Sequence, residues 1–201
     1  MRHECLPIAL KLTKKEQIEQ KAMELFWKHG FKKITIDEIC KKANVSRKTF
    51  YTFFDNKNAL IIYLYSKTID QAYAEYDKVI KSNIPFSEKL EKLLNQKIES
   101  TQHLSMEFVS DLYHPDAGEL LTFFNQVIEQ SMQFMRNFLI EAQKTGDIDP
   151  QLNIDYIMFI LSKTIELCGT KEMMDMFPNA STMTKQISQT FIFGIAPPNK
   201  K

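Results

Sequence analysis

Glycine and proline are scarce, 5 and 7 among 201 residues. A turn-rich β fold draws heavily on both, and so does a low-complexity disordered chain, so neither class fits. Cysteine is scarcer still. Cys5, Cys40 and Cys168 are odd in number, far apart and without metal-type spacing. They exclude a disulfide framework and read as reduced thiols in the cytosol. No apolar run approaches the roughly 20 residues of a membrane helix. The short run at 6–10 lacks the length and cleavage site of a secretory signal. A cytoplasmic protein with no membrane partner is therefore expected. Enzyme signatures are missing too: there is no G-x-G-x-x-G, no P-loop, no G-x-S-x-G and no paired cysteine ligands. The reading is not an enzyme, with no cofactor and no metal.

Apolar residues are not lacking. They make up 44% of the chain, enough for a sizeable core. The net charge of +1 conceals a split. Residues 1–60 hold 13 Lys and Arg against 7 Asp and Glu, whereas residues 61–201 hold 13 against 18. A positive first part and an acidic remainder put the attraction for phosphates at one end only.

The stretch 35–57, TIDEICKKANVSRKTFYTFFDNK, lies in that positive part. Thr35 and Glu38 have the T-x-x-E spacing of a capping box. Ile36, Ile39, Cys40 and Ala43 then recur at helical spacing and give a short helix one buried face. Asn44 accepts the left-handed conformation that stops a helix, and Ser46 can cap the next. In that next helix Phe50 and Phe54 fall on one side. Lys48, Tyr51 and Thr52 project from the other, with Arg47 and Thr49 on the flanks. A short helix with an apolar back and a cationic, hydroxyl-rich front suits the DNA major groove, so the stretch is a helix-turn-helix candidate.

Around it the chain reads as all-α, in about nine helices. Residues 1–12 form an arm. A first helix starts at Thr13, carries Ile18, Ala22, Leu25 and Phe26 on one face, and stops at Gly30. With the two short helices it makes a DNA-binding domain over 13–58, and 59–196 make a larger helical domain. The helix expected over 57–81 contains no linker and belongs to both. Helices follow from Phe86, over 106–113, from Pro115 to about Lys144, and over about 151–168. A loose Met-rich connection at 173–179 precedes a last helix over 181–193, and 197–201 are a tail.

The run from Ala22 to Leu60 carries a resemblance. It reads A-x-x-L-F-x-x-x-G-F-x-x-I-T-I-D-E-I and then A-N-V-S-R-K-T-F-Y-T-F-F-D-N-K-x-A-L. In this it resembles the tetracycline-repressor (TetR) family of bacterial transcription regulators. Two departures stand out: Asn44 replaces the usual inter-helix glycine, and Phe53 stands where histidine is common. The resemblance implies phosphate contacts from Thr35, Ser46, Tyr51 and Lys57, and base or groove contacts from Arg47, Lys48 and Thr49. Arg47 and Lys48 can equally read guanine or neutralise phosphate. It further implies a homodimer through the last two long helices, with Ile157, Ile160, Leu161, Phe191 and Phe193 at the interface. Double-stranded DNA with a palindromic operator is then the expected partner. The implied function is a ligand-responsive regulator, a repressor released by a small molecule.

For the larger domain the resemblance implies an inducer pocket, expected at Phe108, Tyr113, Phe124 and Phe159 and suited to an apolar ligand. No charged constellation on the long helix suggests a strongly ionic one. Displacement of the 57–81 helix would change the spacing of the two groove helices and release DNA. His103, Glu107, Asp111 and His114 fall at i, i+4, i+8 and i+11. They could ligate a metal only on an unbroken helix; their default reading is a solvated face. The alternatives are control by a protein partner or, more remotely, a helical-bundle metalloenzyme.

Overall fold

The computed structural model describes residues 12–116 and 118–195, with side chains of the last helix described as far as Phe191. The expected tail at 197–201 lies outside the described residues, as do the arm except Leu12 and the side chain of Phe193. Among the described residues there are ten helices and no strand.

Local chemistry sets the first boundaries. α1 (Lys14–His29) opens on Thr13, whose hydroxyl accepts from the Glu16 amide while the Glu16 carboxylate reaches back to the Thr13 amide. α2 (Ile36–Ala43) opens the same way on Thr35 and Glu38. It closes on Asn44 in the left-handed region, at φ 52° and ψ 50°. α3 (Arg47–Tyr51) is capped by Ser46, which accepts from the Thr49 amide at 3.0 Å. α4 (Lys57–Lys81) is capped by Asn56.

Ile18, Ala22, Phe26, Phe31, Ile34, Ile39, Phe50, Phe54 and Leu60 bury into one cluster that fixes α1 to α4 against each other. Each such side chain withdrawn from water contributes about 1.5–3 kcal/mol. The cluster does not stop at α4. Phe108, Leu120 and Phe124 from further along the chain complete it, so the DNA-binding module and the larger domain share a core.

The larger domain continues with α5 (Phe86–Thr101), α6 (Met106–Tyr113), α7 (Glu119–Thr145), α8 (Ile154–Cys168), α9 (Lys171–Asp175) and α10 (Ala180–Ile195). α5 packs chiefly on α10, and α7 on α8. α7 starts four residues later than Pro115 predicts. Gly118 sits at φ 110°, a conformation that takes the chain out of helix just before Glu119. The tenth helix is the short α9. The Met-rich connection that reads as loose coils into one turn on its Thr170 cap, and Met173, Met174 and Phe177 pack on Val109, Cys168 and Met183. No described helix is long and apolar enough to cross a membrane.

Candidate nucleic-acid interface and ligand cleft

α3 turns Phe50 inward, fully buried, and holds Tyr51 outward at 46% exposure. The Tyr51 ring stands edge-on to Phe50, with centroids 5.5 Å apart, so its hydroxyl is carried on a rigid base. Lys48 and Thr52 are exposed on the same outer surface, with Arg47 beside them. Asn44 makes the geometry possible. Its left-handed turn brings the Val45 amide back to the Cys40 carbonyl at 3.0 Å and redirects the chain into α3. Lys14 of α1 adds a bond from its ammonium to the Asn44 carbonyl at 3.4 Å.

The predicted contact residues differ in how free they are. Arg47 is engaged, its guanidinium 3.2 Å from the Asp37 carboxylate. A hydrogen bond with Tyr51, then Asp37, holds its proton more firmly than usual. Ser46 and Thr49 join their hydroxyls at 2.9 Å as part of the cap. Thr35 gives both its amide and its hydroxyl to Glu38, at 2.7 and 2.8 Å, so a phosphate there would have to compete with that carboxylate.

Lys57 is already engaged. The resemblance implies a phosphate contact from its ammonium, which here donates to the carbonyls of Phe31, Lys32 and Ile34, at 2.9, 3.1 and 2.9 Å. All three ammonium protons are used, and burial lowers the pKa. Lys57 closes the loop between α1 and α2. The other partners that set this module reach across the chain. Lys67 of α4 meets the buried Glu19 of α1 at 3.1 Å. From α6, Ser105 donates its amide to Trp27 at 2.8 Å, and Asp111 accepts the Lys32 amide at 2.8 Å. Separations of 48 to 79 residues leave no signal in a sequence pattern.

Of the expected pocket residues, only Tyr113 lines the cleft found in the larger domain. That cleft, of about 410 Å³, lies between the end of α6, α7 and α8. His114, Asn125, Ile128, Met132, Ser162, Ile165, Glu166 and Gly169 complete it, and His114 is held by a 2.6 Å bond between Nε2 and the Gly169 carbonyl. Phe108 and Phe124 are instead core residues, buried against Phe31. Phe159 is 57% exposed on the outer face of α8. Helical periodicity alone cannot tell those two faces apart. The four-residue set at 103–114 is also divided: α5 ends at Thr101 and α6 begins at Met106. Asp111 is committed to Lys32 and His114 to Gly169, so the set does not converge as a metal site.

Residues 18–64 match the bacterial regulatory proteins of the tetR family. The chain is 30% identical over 160 residues to the probable acrEF/envCD operon repressor of Escherichia coli (strain K12), covering 74% of this chain and 70% of that protein. The chain belongs to the tetR family. It is also 22% identical over 189 residues to the fatty acid metabolism regulator protein of Bacillus subtilis (strain 168), covering 92% and 97% of the two chains. In overall fold this tetR-family regulator is similar to the fatty acid degradation regulator FadR from Bacillus halodurans, with TM-score 0.69 and 21% identity over 92% of this chain and 97% of that one. FadR from Bacillus subtilis in complex with stearoyl-CoA gives 0.67 at 21% identity, over 89% and 98%. As a tetR-family member the protein is a DNA-binding transcription regulator with a helix-turn-helix domain and a helical C-terminal domain.

Proposed function

We propose that this regulator is a cytoplasmic repressor that binds a palindromic operator as a homodimer and leaves it when a small, largely apolar molecule enters the larger domain. The observation that carries the DNA reading is the outward face of α3, where Lys48, Tyr51 and Thr52 stand exposed beside Arg47 on a helix whose back is locked by Phe50. Lys48 and Arg47 enter the groove, while Ser46, Thr49 and Tyr51 settle the helix against the backbone. Lys57 contributes by holding the 31–34 loop.

The dimer reading is supported by α8. Tyr156, Phe159, Ile160 and Leu167 are 64, 57, 37 and 52% exposed along that helix. A stripe of large apolar side chains open to water is a surface for a partner, and a second copy of the same helix is its occupant. A two-fold dimer sets its groove helices about one DNA turn apart, roughly 34–36 Å.

Two connections supply the allosteric route. α4 is tied to α1 through Glu19–Lys67 and to the 31–34 loop through Lys57. α6 holds α1 and that loop through Ser105 and Asp111, and its far end, Tyr113 and His114, forms the cleft wall. A ligand that favours a shifted α6 or α4 moves the module and spoils the half-site spacing. The stearoyl-CoA held by the Bacillus subtilis FadR supports a ligand with an apolar chain.

Selection of bound DNA from a random library tests the reading. Two inverted half-sites with salt-sensitive binding are expected; asymmetric single sites would remove the palindrome and the dimer that reads it.

A further inference from the structure

The backbone keeps helical hydrogen bonds past the end of α3. Thr52 donates its amide to the Lys48 carbonyl at 3.2 Å, and Phe54 donates to that of Phe50 at 3.0 Å. Side chains from Arg47 to Phe54 therefore follow one helical wheel. Phe50 and Phe54 mark its buried side. Lys48 and Thr52, both exposed, form the ridge opposite. Two edges separate that ridge from the core. Arg47 and Tyr51, at i and i+4, make one; Thr49 and Phe53, also at i and i+4, make the other.

The two edges differ in chemistry. The first carries a guanidinium and a phenol, both able to donate. On the second, Thr49 shares its hydroxyl with Ser46 at 2.9 Å, and a phenyl ring stands beyond it. That ring, Phe53, is 40% exposed. The aromatic rings beside it are paired among themselves, Phe50 with Tyr51 and Phe54, and Phe54 with Tyr63. Phe53 pairs with no ring among the described residues and lies outside the buried cluster of the module. On an ordinary surface a single exposed phenylalanine needs no explanation. This one stands on the helix set in the major groove by the reading above, and it has no donor to offer a phosphate.

We propose that Phe53 is a specificity-determining residue that reads a thymine in each operator half-site through apolar contact with its C5 methyl group. This rests on the DNA reading above and deepens it. Thymine is the base that displays a methyl group in the major groove, so contact with it separates T·A from the other pairs. Ring and methyl leave water together. No ion is released, so the contact discriminates between bases without adding to the salt dependence.

The test repeats the random-library selection with full-length Phe53→Ala beside the parent. Each half-site selected by the parent should hold a thymine that the variant no longer selects, with the other preferred positions kept. Replacing that thymine by deoxyuridine, which lacks only the methyl, should weaken the parent about fourfold per half-site, the worth of one buried methyl group. The same replacement should leave Phe53→Ala unaffected. Affinity of the variant for random DNA, and its slope of log affinity against log salt, should match those of the parent. A parent motif without such a thymine, or a variant that keeps the thymine or its sensitivity to deoxyuridine, overturns the assignment and leaves the DNA reading standing. So does an equal loss on operator and random DNA, which would place the ring on deoxyribose. A melting temperature lower by several degrees in Phe53→Ala would mean a structural role and also overturn it. If the parent selects no sequence, the DNA reading itself fails, and the assignment with it.

Discussion

Asp111 on α6 accepts the backbone amide of Lys32 at 2.8 Å, across 79 positions of sequence. The bond joins the helix that walls the cleft of the larger domain to the loop that leads into the DNA-reading helices. Beside it Gly30, at φ 75°, has no room for a side chain, since a Cβ there would collide with the Asp111 carboxylate. Gly30→Ala should therefore cost about 1–3 kcal/mol in chemical denaturation, combining left-handed strain with that collision. Asp111→Ala should leave operator affinity within a few fold but reduce the ligand's effect on it. An unchanged ligand effect would show that α6 does not carry the signal.

Lys48 and Lys57 should separate cleanly. Lys48→Ala is expected to weaken DNA binding and reduce the slope of log affinity against log salt by about one. Lys57→Met should leave that slope alone and instead destabilise the fold by about 1–3 kcal/mol, because three carbonyls lose their donor. A reduced slope with unchanged stability in Lys57→Met would return that lysine to the phosphate backbone.

Asp37 restrains Arg47 in the free protein through their 3.2 Å pair. Replacing it by Asn removes both the restraint and a negative charge facing DNA. Affinity for operator and for random DNA should both rise, by a few fold for a pair this exposed. Fluorescence anisotropy with the two DNAs measures it. Weaker binding would mean that Asp37 positions Arg47 productively.

Acid should loosen the first helices. The Thr35 amide, then its hydroxyl, holds the Glu38 carboxyl below its ordinary value of 4.5, and Thr13 does the same for Glu16. A carboxylate depressed in the folded state stabilises it above the unfolded value, and that contribution disappears as pH falls through the folded one. Melting temperature followed between about pH 5 and pH 3 should fall less steeply in the E16Q/E38Q double variant than in the parent. Equal slopes would place the acid sensitivity elsewhere.

Phe159→Glu on the outer face of α8 should yield a folded monomer by sedimentation, with operator affinity down by at least tenfold. A dimer that survives the change would move the interface away from α8.

The sequence by itself determined the reading module. Thr35, Glu38, Asn44 and Ser46 are local signals: each cap or turn is formed with a residue a few positions away, so spacing alone reveals it. The inward set from Ile18 to Leu60 followed from the same short-range periodicity, as did the long span of α4. Tertiary structure decided what spacing could not. It set the Lys57 ammonium on the 31–34 carbonyls, Phe159 on an outer face, and Phe108 and Phe124 in the core of the reading module. It also joined Asp111 to Lys32. A periodic pattern shows that a helix has an apolar face, but which surface meets that face, and which polar groups meet across it, depends on partners that only the packed chain brings together.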